Sequence, residues 1–318
     1  MRLIRHLPPF PAFLLPALLL LVVSCDRGSR DDETASPGSL SLKIGAMPSM
    51  DILPFLVAEK AGVYDSLGLN LEVVKFYSAI DRDAAFQSHN VEGTVIDYTG
   101  AMMQQAAGIP LRLVMKLDGY FLMMARPGFG GGSSELLRGA RIGVSSNTVI
   151  EYATDMVLRR AGIPLDAVHK QEVSKIPLRM EMLRGGKMDA SILPDPFITI
   201  TKEEGLSVLA STEEMGIHVT GLILSLPTIE QKREAVELLL QGYDRGVELL
   251  LTRPIEEFRE TLVKEVGFPE ELASKVLLPA YTPHEAPNPE DLQGTLLWLR
   301  ERSLVPEVYS TDSLVAEF

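Results

Sequence analysis

The chain has little of what most catalytic chemistry needs. Its 318 residues include one cysteine, one tryptophan and five histidines. A single cysteine, Cys25, excludes an intrachain disulfide framework. The histidines, His6, His89, His169, His218 and His284, do not pair with one another or with Cys25 at metal-ligand spacing, so no metal centre is expected. There is no Gly-x-Ser-x-Gly elbow for a serine nucleophile. Residues 126–135 are glycine-rich but contain no Gly-Lys-Ser/Thr, so they fail as a phosphate loop and read as a surface turn. Basic residues are also in deficit, with 30 Lys and Arg against 43 Asp and Glu. That balance argues against nucleic acid as a partner, which needs clustered positive charge. It leaves room for a small anion, because local N–H groups can overrule the global field. No carboxylate pair is placed by sequence for acid–base work. These absences favour binding over catalysis: no catalytic residue, cofactor or metal is expected.

The first 24 residues carry Arg2 and Arg5, then an apolar run over 10–23 that is broken by Pro11 and Pro16. This reads as a secretory signal, since the unbroken part is too short to span a bilayer. It ends in Val22-Val23-Ser24-Cys25, which resembles the lipobox of bacterial lipoproteins. The resemblance implies removal of 1–24 and acylation of Cys25, which anchors the chain to the outer face of the cytoplasmic membrane. Losing Arg2 and Arg5, with no acids in that segment, takes the formal charge from −13 to −15. Residues 25–39, rich in Asp, Gly, Pro and Ser, read as a lipidated flexible tether.

The folded part says one thing twice. Residues 141–162 form a strand, a polar turn (Ser145, Ser146, Asn147, Thr148) and an apolar helix closed by Ala161-Gly162. The helix N-terminus can hold an anion or a carbonyl, or Ser146 or Asn147 caps it. Residues 42–62 repeat the pattern, with Pro48-Ser49-Met50-Asp51 as the turn. Extended segments follow at 69–77 and 168–173. Helices expected at 83–89 and 178–184 then lead into strands at 93–96 and 189–193. Two copies predict two similar α/β lobes with mainly parallel sheets. Ligands of such sheets bind beyond the carboxyl ends of the strands, so two facing lobes make a cleft.

The expected division is 40–118 with 222–318 for lobe one and 119–221 for lobe two. The chain is expected to cross between them near 117–120 and 218–222. Strand-end loops supply the ligand candidates: Ser49, Asp51, Tyr77, Ser78, Asp97, Tyr98, Thr99 and Asp118 from the first part. Ser145, Ser146, Asn147, Thr148, Ser174, Asp195, Phe197 and Thr220 come from the second. The bland alternatives are turn chemistry for the aspartates, a cap for Asp195 and packing for the rings. From Pro227 the pattern is helical. Thr228 with Gln231 reads as a capping box, and Val236, Leu239, Leu240, Tyr243, Val247, Leu250 and Leu251 form a stripe. Asn288-Pro289 opens another helix, on which Trp298 is core. This tail is expected to buttress lobe one.

Several local strings carry a family likeness. They are Lys43-Ile44-Gly45, Glu59-Lys60-Ala61-Gly62 with Leu67-Gly68-Leu69, Gly186-Lys187-Met188-Asp189-Ala190, and Asp195-Pro196-Phe197. With the doubled pattern and the lipobox, they make the chain resemble the periplasmic binding proteins of the nitrate/sulfonate/taurine and thiamine-precursor group of ABC importers. That group is similar to the fungal thiamine-pyrimidine synthases. The resemblance implies a class II two-lobed periplasmic-binding-protein fold that closes on a small molecule. It implies an ABC permease and ATPase complex as partners, and a monomer. The chain departs from some members in lacking a tryptophan near the cleft, which would leave aromatic contact to Tyr77, Tyr98, Tyr120 or Phe197. The reactive histidine and cysteine-rich segment of the enzymatic cousins are missing. The four aspartates, Asp51, Asp97, Asp118 and Asp195, favour a flat heterocycle with amino donors, such as an aminopyrimidine precursor of thiamine. The alternatives are an enzyme of menaquinone or thiamine-pyrimidine type on the same fold, or a ligand sensor.

Overall fold

The computed structural model describes residues 40–129 and 133–317. The signal segment, Cys25, the tether and residues 130–132 of the glycine-rich turn lie outside the described residues. The first lobe begins with β1 (Leu40–Ala46), a 3-10 turn at Met50–Ile52, α1 (Leu53–Lys60) and α2 (Val63–Leu67). It continues with β2 (Leu69–Lys75), α3 (Ala79–Gln87), β3 (Gly93–Asp97), α4 (Tyr98–Ala106) and β4 (Leu111–Leu117). The chain then crosses into β5 (Leu122–Ala125), β6 (Arg141–Val144), α5 (Val149–Arg160), β7 (His169–Glu172), α6 (Ile176–Arg184), β8 (Ala190–Leu193), α7 (Phe197–Glu203) and β9 (Ser207–Ser211). It returns through β10 (Thr220–Ser225).

Two five-stranded sheets result, ordered β2-β1-β3-β10-β4 and β7-β6-β8-β5-β9. In each, four of the five strands run in one direction and only the strand in the fourth position, β10 or β5, is antiparallel. That antiparallel strand is the one each lobe receives at a crossing, so each sheet is mixed but mainly parallel, as expected. Both sheets have helices on their faces, which is why strands such as β3 and β8 are buried along their whole length.

The duplication extends to single hydrogen bonds. Thr94 Oγ1 donates to the Gly45 carbonyl at 2.9 Å, and Ser191 Oγ donates to the Gly143 carbonyl at 2.8 Å. The Lys43 N–H reaches Glu92 Oε2 at 2.9 Å, and the Arg141 N–H reaches Asp189 Oδ2 at 2.9 Å. α1 and α5 both close on Ala-Gly, with Gly62 and Gly162 in the left-handed region at φ 69° and 66°.

The tail departs from expectation. There is no capping box at Thr228 and Gln231: Ser225 caps α8 (Leu226–Gln231), its Oγ accepting the Thr228 N–H. α9 (Arg233–Thr252) lies along α1, and Gly246 lets it approach so closely that a Cβ there would stand 2.0 Å from the Pro54 carbonyl oxygen. Leu251 falls off its apolar stripe and is exposed, while the other stripe residues are buried. After the one-turn α10 (Arg259–Thr261), Asn288 caps α11 (Pro289–Glu301) as expected, its Oδ1 accepting the Glu290 N–H. α11 does not buttress lobe one alone. It packs on α4 of lobe one and, through buried Trp298, on Tyr152 and Asp155 of α5 in lobe two. Residues 314–316 then pair along the outer edge of β4 and cover it.

Candidate functional site

The strand ends of the two lobes meet around one cavity of ≈ 50 Å³. That is several times the ~10–15 Å³ needed to seat one water. Lobe one lines it with Ser49 and Asp51 after β1, Ala79 and Arg82 after β2, and Asp97 after β3. Lobe two answers with Ser145, Thr148 and Ile150 after β6, Ser174 and Arg179 after β7, and Pro194 after β8. Phe121 and Thr220 enter from the crossings. An adjoining space of ≈ 210 Å³ opens between α3 and the turn before α5, lined also by Asp83, Ser146, Asn147 and Glu172.

The structure therefore brings together Ser49, Asp51, Asp97, Ser145, Thr148, Ser174 and Thr220 in the inner cavity. Ser146 and Asn147 stand in the outer space. The remaining expected residues are engaged elsewhere. Tyr77 is 59% exposed, and Ser78 caps α3. Tyr98 is buried in the core shared by the lobes, and Thr99 donates to Asp97 Oδ1 at 2.6 Å. Asp118 pairs with Lys116 at 2.7 Å and accepts the Thr282 N–H at 2.7 Å. Asp195 accepts the Thr199 N–H in the first turn of α7 at 2.8 Å and a hydrogen bond from the Tyr120 hydroxyl at 3.0 Å. Phe197 packs against the lobe-two core. Neither Ser146 nor Asn147 caps α5. Thr148 does, its Oγ1 accepting the Ile150 N–H, while Ser146 donates to Glu172 and the Asn147 N–H to Glu151.

The cavity also holds two arginines that the sequence reading passes over. Arg82 and Arg179 are 2% and 1% exposed. Each occupies the fourth position of its helix, α3 or α6, and each lies seven residues beyond the last residue of the preceding strand, Lys75 or Glu172. They are the same residue in the two copies of the fold. Their environments differ. Arg82 is paired with Asp83, Nε to Oδ1 at 2.9 Å and Nη2 to Oδ1 at 2.8 Å. Arg179 makes no ion pair among the described residues. Its Nη1 donates to the Val173 carbonyl at 2.8 Å and the Ser174 carbonyl at 3.3 Å, while Nε and Nη2 are buried without partners. Burial pushes the Arg179 pKa down to about 10, so it stays charged at neutral pH. Asp51, 4% exposed, accepts from Ser49 Oγ, and burial raises its pKa above the ordinary carboxylate range. Val149, Ile150, Ile176 and Phe121 supply apolar walls. The arrangement can hold a small molecule that offers an anion to guanidinium groups and an apolar body to the walls. No group of His, Cys, Asp and Glu among the described residues is placed to hold a metal ion.

Comparison with known proteins agrees with this architecture. A family model described as NMT1/THI5 like matches residues 49–257. At the level of sequence alone, comparison with curated proteins finds no match. Among solved structures, the periplasmic aliphatic sulphonate binding protein SsuA from Escherichia coli is similar with a TM-score of 0.75 and 16% identity, covering 89% of this chain and 93% of that one. The periplasmic nitrate-binding protein NrtA from Synechocystis PCC 6803 is similar with a TM-score of 0.71 and 14% identity, covering 85% and 83%. The desulfurization enzyme DSZB is similar with a TM-score of 0.65 and 15% identity, covering 87% and 96%. At these identities the likeness is one of fold: two α/β lobes joined by crossing strands, as the sequence resemblance implies.

Proposed function

This chain belongs to the NMT1/THI5-like family, and from that premise we propose that it is the solute-binding component of an ABC-type importer that captures a small organic anion between its lobes. The observation that carries the reading is Arg179. A buried guanidinium with two unpartnered nitrogens is costly unless something neutralises it. An incoming sulfonate, carboxylate or similar group does so, with Arg82 standing in the same cavity. Among the described residues, the inner cavity is lined by charge and apolar walls and by no histidine, cysteine or lysine, which supports capture over turnover. In this reading lobe one is 40–118 with 222–318 and lobe two is 119–221. Acylated Cys25 holds a monomer on the outer face of the cytoplasmic membrane, where a permease and ATPase complex receives the solute. A role in sensing uses the same cleft and differs only in the partner.

An aminopyrimidine precursor of thiamine is the second reading. Asp51 favours it, as a buried acceptor facing an apolar wall. Asp118 and Asp195 no longer support it, because both are committed within the protein. A thermal-shift screen tests the two: nitrate, aliphatic sulfonates and small aromatic acids against thiamine pyrimidine precursors and riboflavin. A ligand at 100 times its Kd adds about 2.7 kcal/mol. A shift with anions supports the first reading. A shift confined to uncharged heterocycles refutes it.

A further inference from the structure

We propose that the solute is zwitterionic: Arg179 and Arg82 take its acid group, and Asp51 takes an amino group on the same molecule. This rests on the cleft being the ligand site, and it adds the second charge.

Asp51 lies in the 3-10 turn between β1 and α1 and lines the same cavity as Arg179. Its carboxylate accepts from the hydroxyls of Ser49 and Thr220, which line the cavity with it, but it does not anchor the backbone of another segment as the other aspartates of these loops do. Asp97 and Asp195 accept backbone N–H groups at the starts of α4 and α7. Asp118 clamps Thr282. Asp51 caps neither its own turn nor α1, and among the described residues it forms no ion pair. Arg82 attracts it across the cavity, but the Nε and Nη2 of Arg82 are already committed to Asp83. Gly119, at the crossing, leaves room for it: a Cβ there would stand 2.9 Å from the Asp51 Cβ. The duplication shows that the acid is an addition. Asp51 lies five residues beyond the end of β1, and the residue five beyond the end of β6 is Val149, an apolar wall of the same cavity. Two buried carboxylates of the inner cavity, Asp51 and Asp97, lack an ionic partner; Asp97 is committed to the start of α4, which leaves Asp51 on one lobe facing Arg179 on the other, each without a counter-charge among the described residues. A solute carrying both opposite charges neutralises both and joins the lobes. A simple anion neutralises only one.

Calorimetry with matched probes tests this on the wild-type chain, Asp51→Asn and Arg179→Met. The probes are 4-aminobutanoate against butanoate, 3-aminopropanesulfonate against propanesulfonate, and 4-(aminomethyl)benzoate against 4-methylbenzoate. In at least one pair the amino member should bind about tenfold tighter or more, as expected for a charge-assisted hydrogen bond. Asp51→Asn should shrink that gap to about twofold. If the parents bind as tightly as their amino partners, or Asp51→Asn leaves the gap intact, the zwitterion is wrong. In that case the anion site still stands, provided Arg179→Met removes binding of the parents. Failure of every probe to bind overturns both readings.

Discussion

Replacing Arg179 with methionine should separate binding from folding. The guanidinium is buried, and its pKa is pushed down to about 10. A depression of that size is on the order of 3 kcal/mol against the charged form. The sign follows from proton linkage. Below about pH 10 the group is charged in both the folded and unfolded states, so the cost is fully present at neutral pH, and it is relieved only as the pH rises through the folded value. Against it stand two hydrogen bonds from Nη1 to the carbonyls of Val173 and Ser174, worth about 1 kcal/mol each. Methionine keeps most of the stem, loses both bonds and removes the charge. The empty variant should therefore unfold in urea with a free energy equal to wild type or higher by about 1 kcal/mol. Its affinity for the best anion in the screen should fall by ~10- to 100-fold, the ~1.5–3 kcal/mol of hydrogen bonds to a charged group. A variant that loses about 3 kcal/mol or more of stability while keeping its affinity would refute the reasoning, because the arginine would then be a structural ion.

Three further outcomes are expected. Arg302→Ala removes the partner of Glu151 and of fully buried Asp155 in the network that ties α11 to α5, leaving Lys170 as their cation. Urea unfolding should show a loss of about 3 kcal/mol. Asp189 is held well below the ordinary carboxylate range by Arg141 first and then Arg126. Its contribution is complete above about pH 4 and is lost as the pH falls toward its folded value, so the stability gap between wild type and Asp189→Asn should be flat from neutral pH to about pH 4 and close below it. Cys25→Ser should move the protein from the membrane fraction to the soluble one. A variant that still sediments with membranes removes the lipid anchor from the proposal.

Much of the fold is legible because the periodicity of buried strands and the Ala-Gly helix ends occur twice. The elements that escape are those whose structure comes from tertiary contact. β9 is a short edge strand with few residues to pattern. α2 is five residues between two left-handed glycines. α3 and α6 begin earlier than read, because Ser78 caps α3 and Pro177 sits in the first turn of α6. The partner of α11 could not be read locally. Trp298 is legible as core, but its hydrogen bond to Asp155 spans 143 residues. The same limit governs the site. Loop positions are legible, and seven of the expected residues meet in the inner cavity. Which carboxylates face it depends on long-range partners such as Thr282 for Asp118 and Tyr120 for Asp195.

The arginines were available to the sequence in a way the aspartates were not. A search for carboxylates and hydroxyls on loops treats each residue alone, and an arginine near a helix start then reads as a solvated charge. The duplication supplies the missing constraint. Once β2 is aligned with β7, Arg82 falls on Arg179, seven residues past each strand. A first-turn helix residue above a parallel sheet points toward the strand ends, where the other lobe closes. Two copies placing the same long cation there cannot both leave it in solvent if the lobes meet. The chain's formal charge of −13 is no obstacle, since a field averaged over the surface is screened within about 10 Å while a buried guanidinium is not. The acidic surface and the buried guanidinium groups of the cleft belong to different length scales, and the cleft sets what the protein holds.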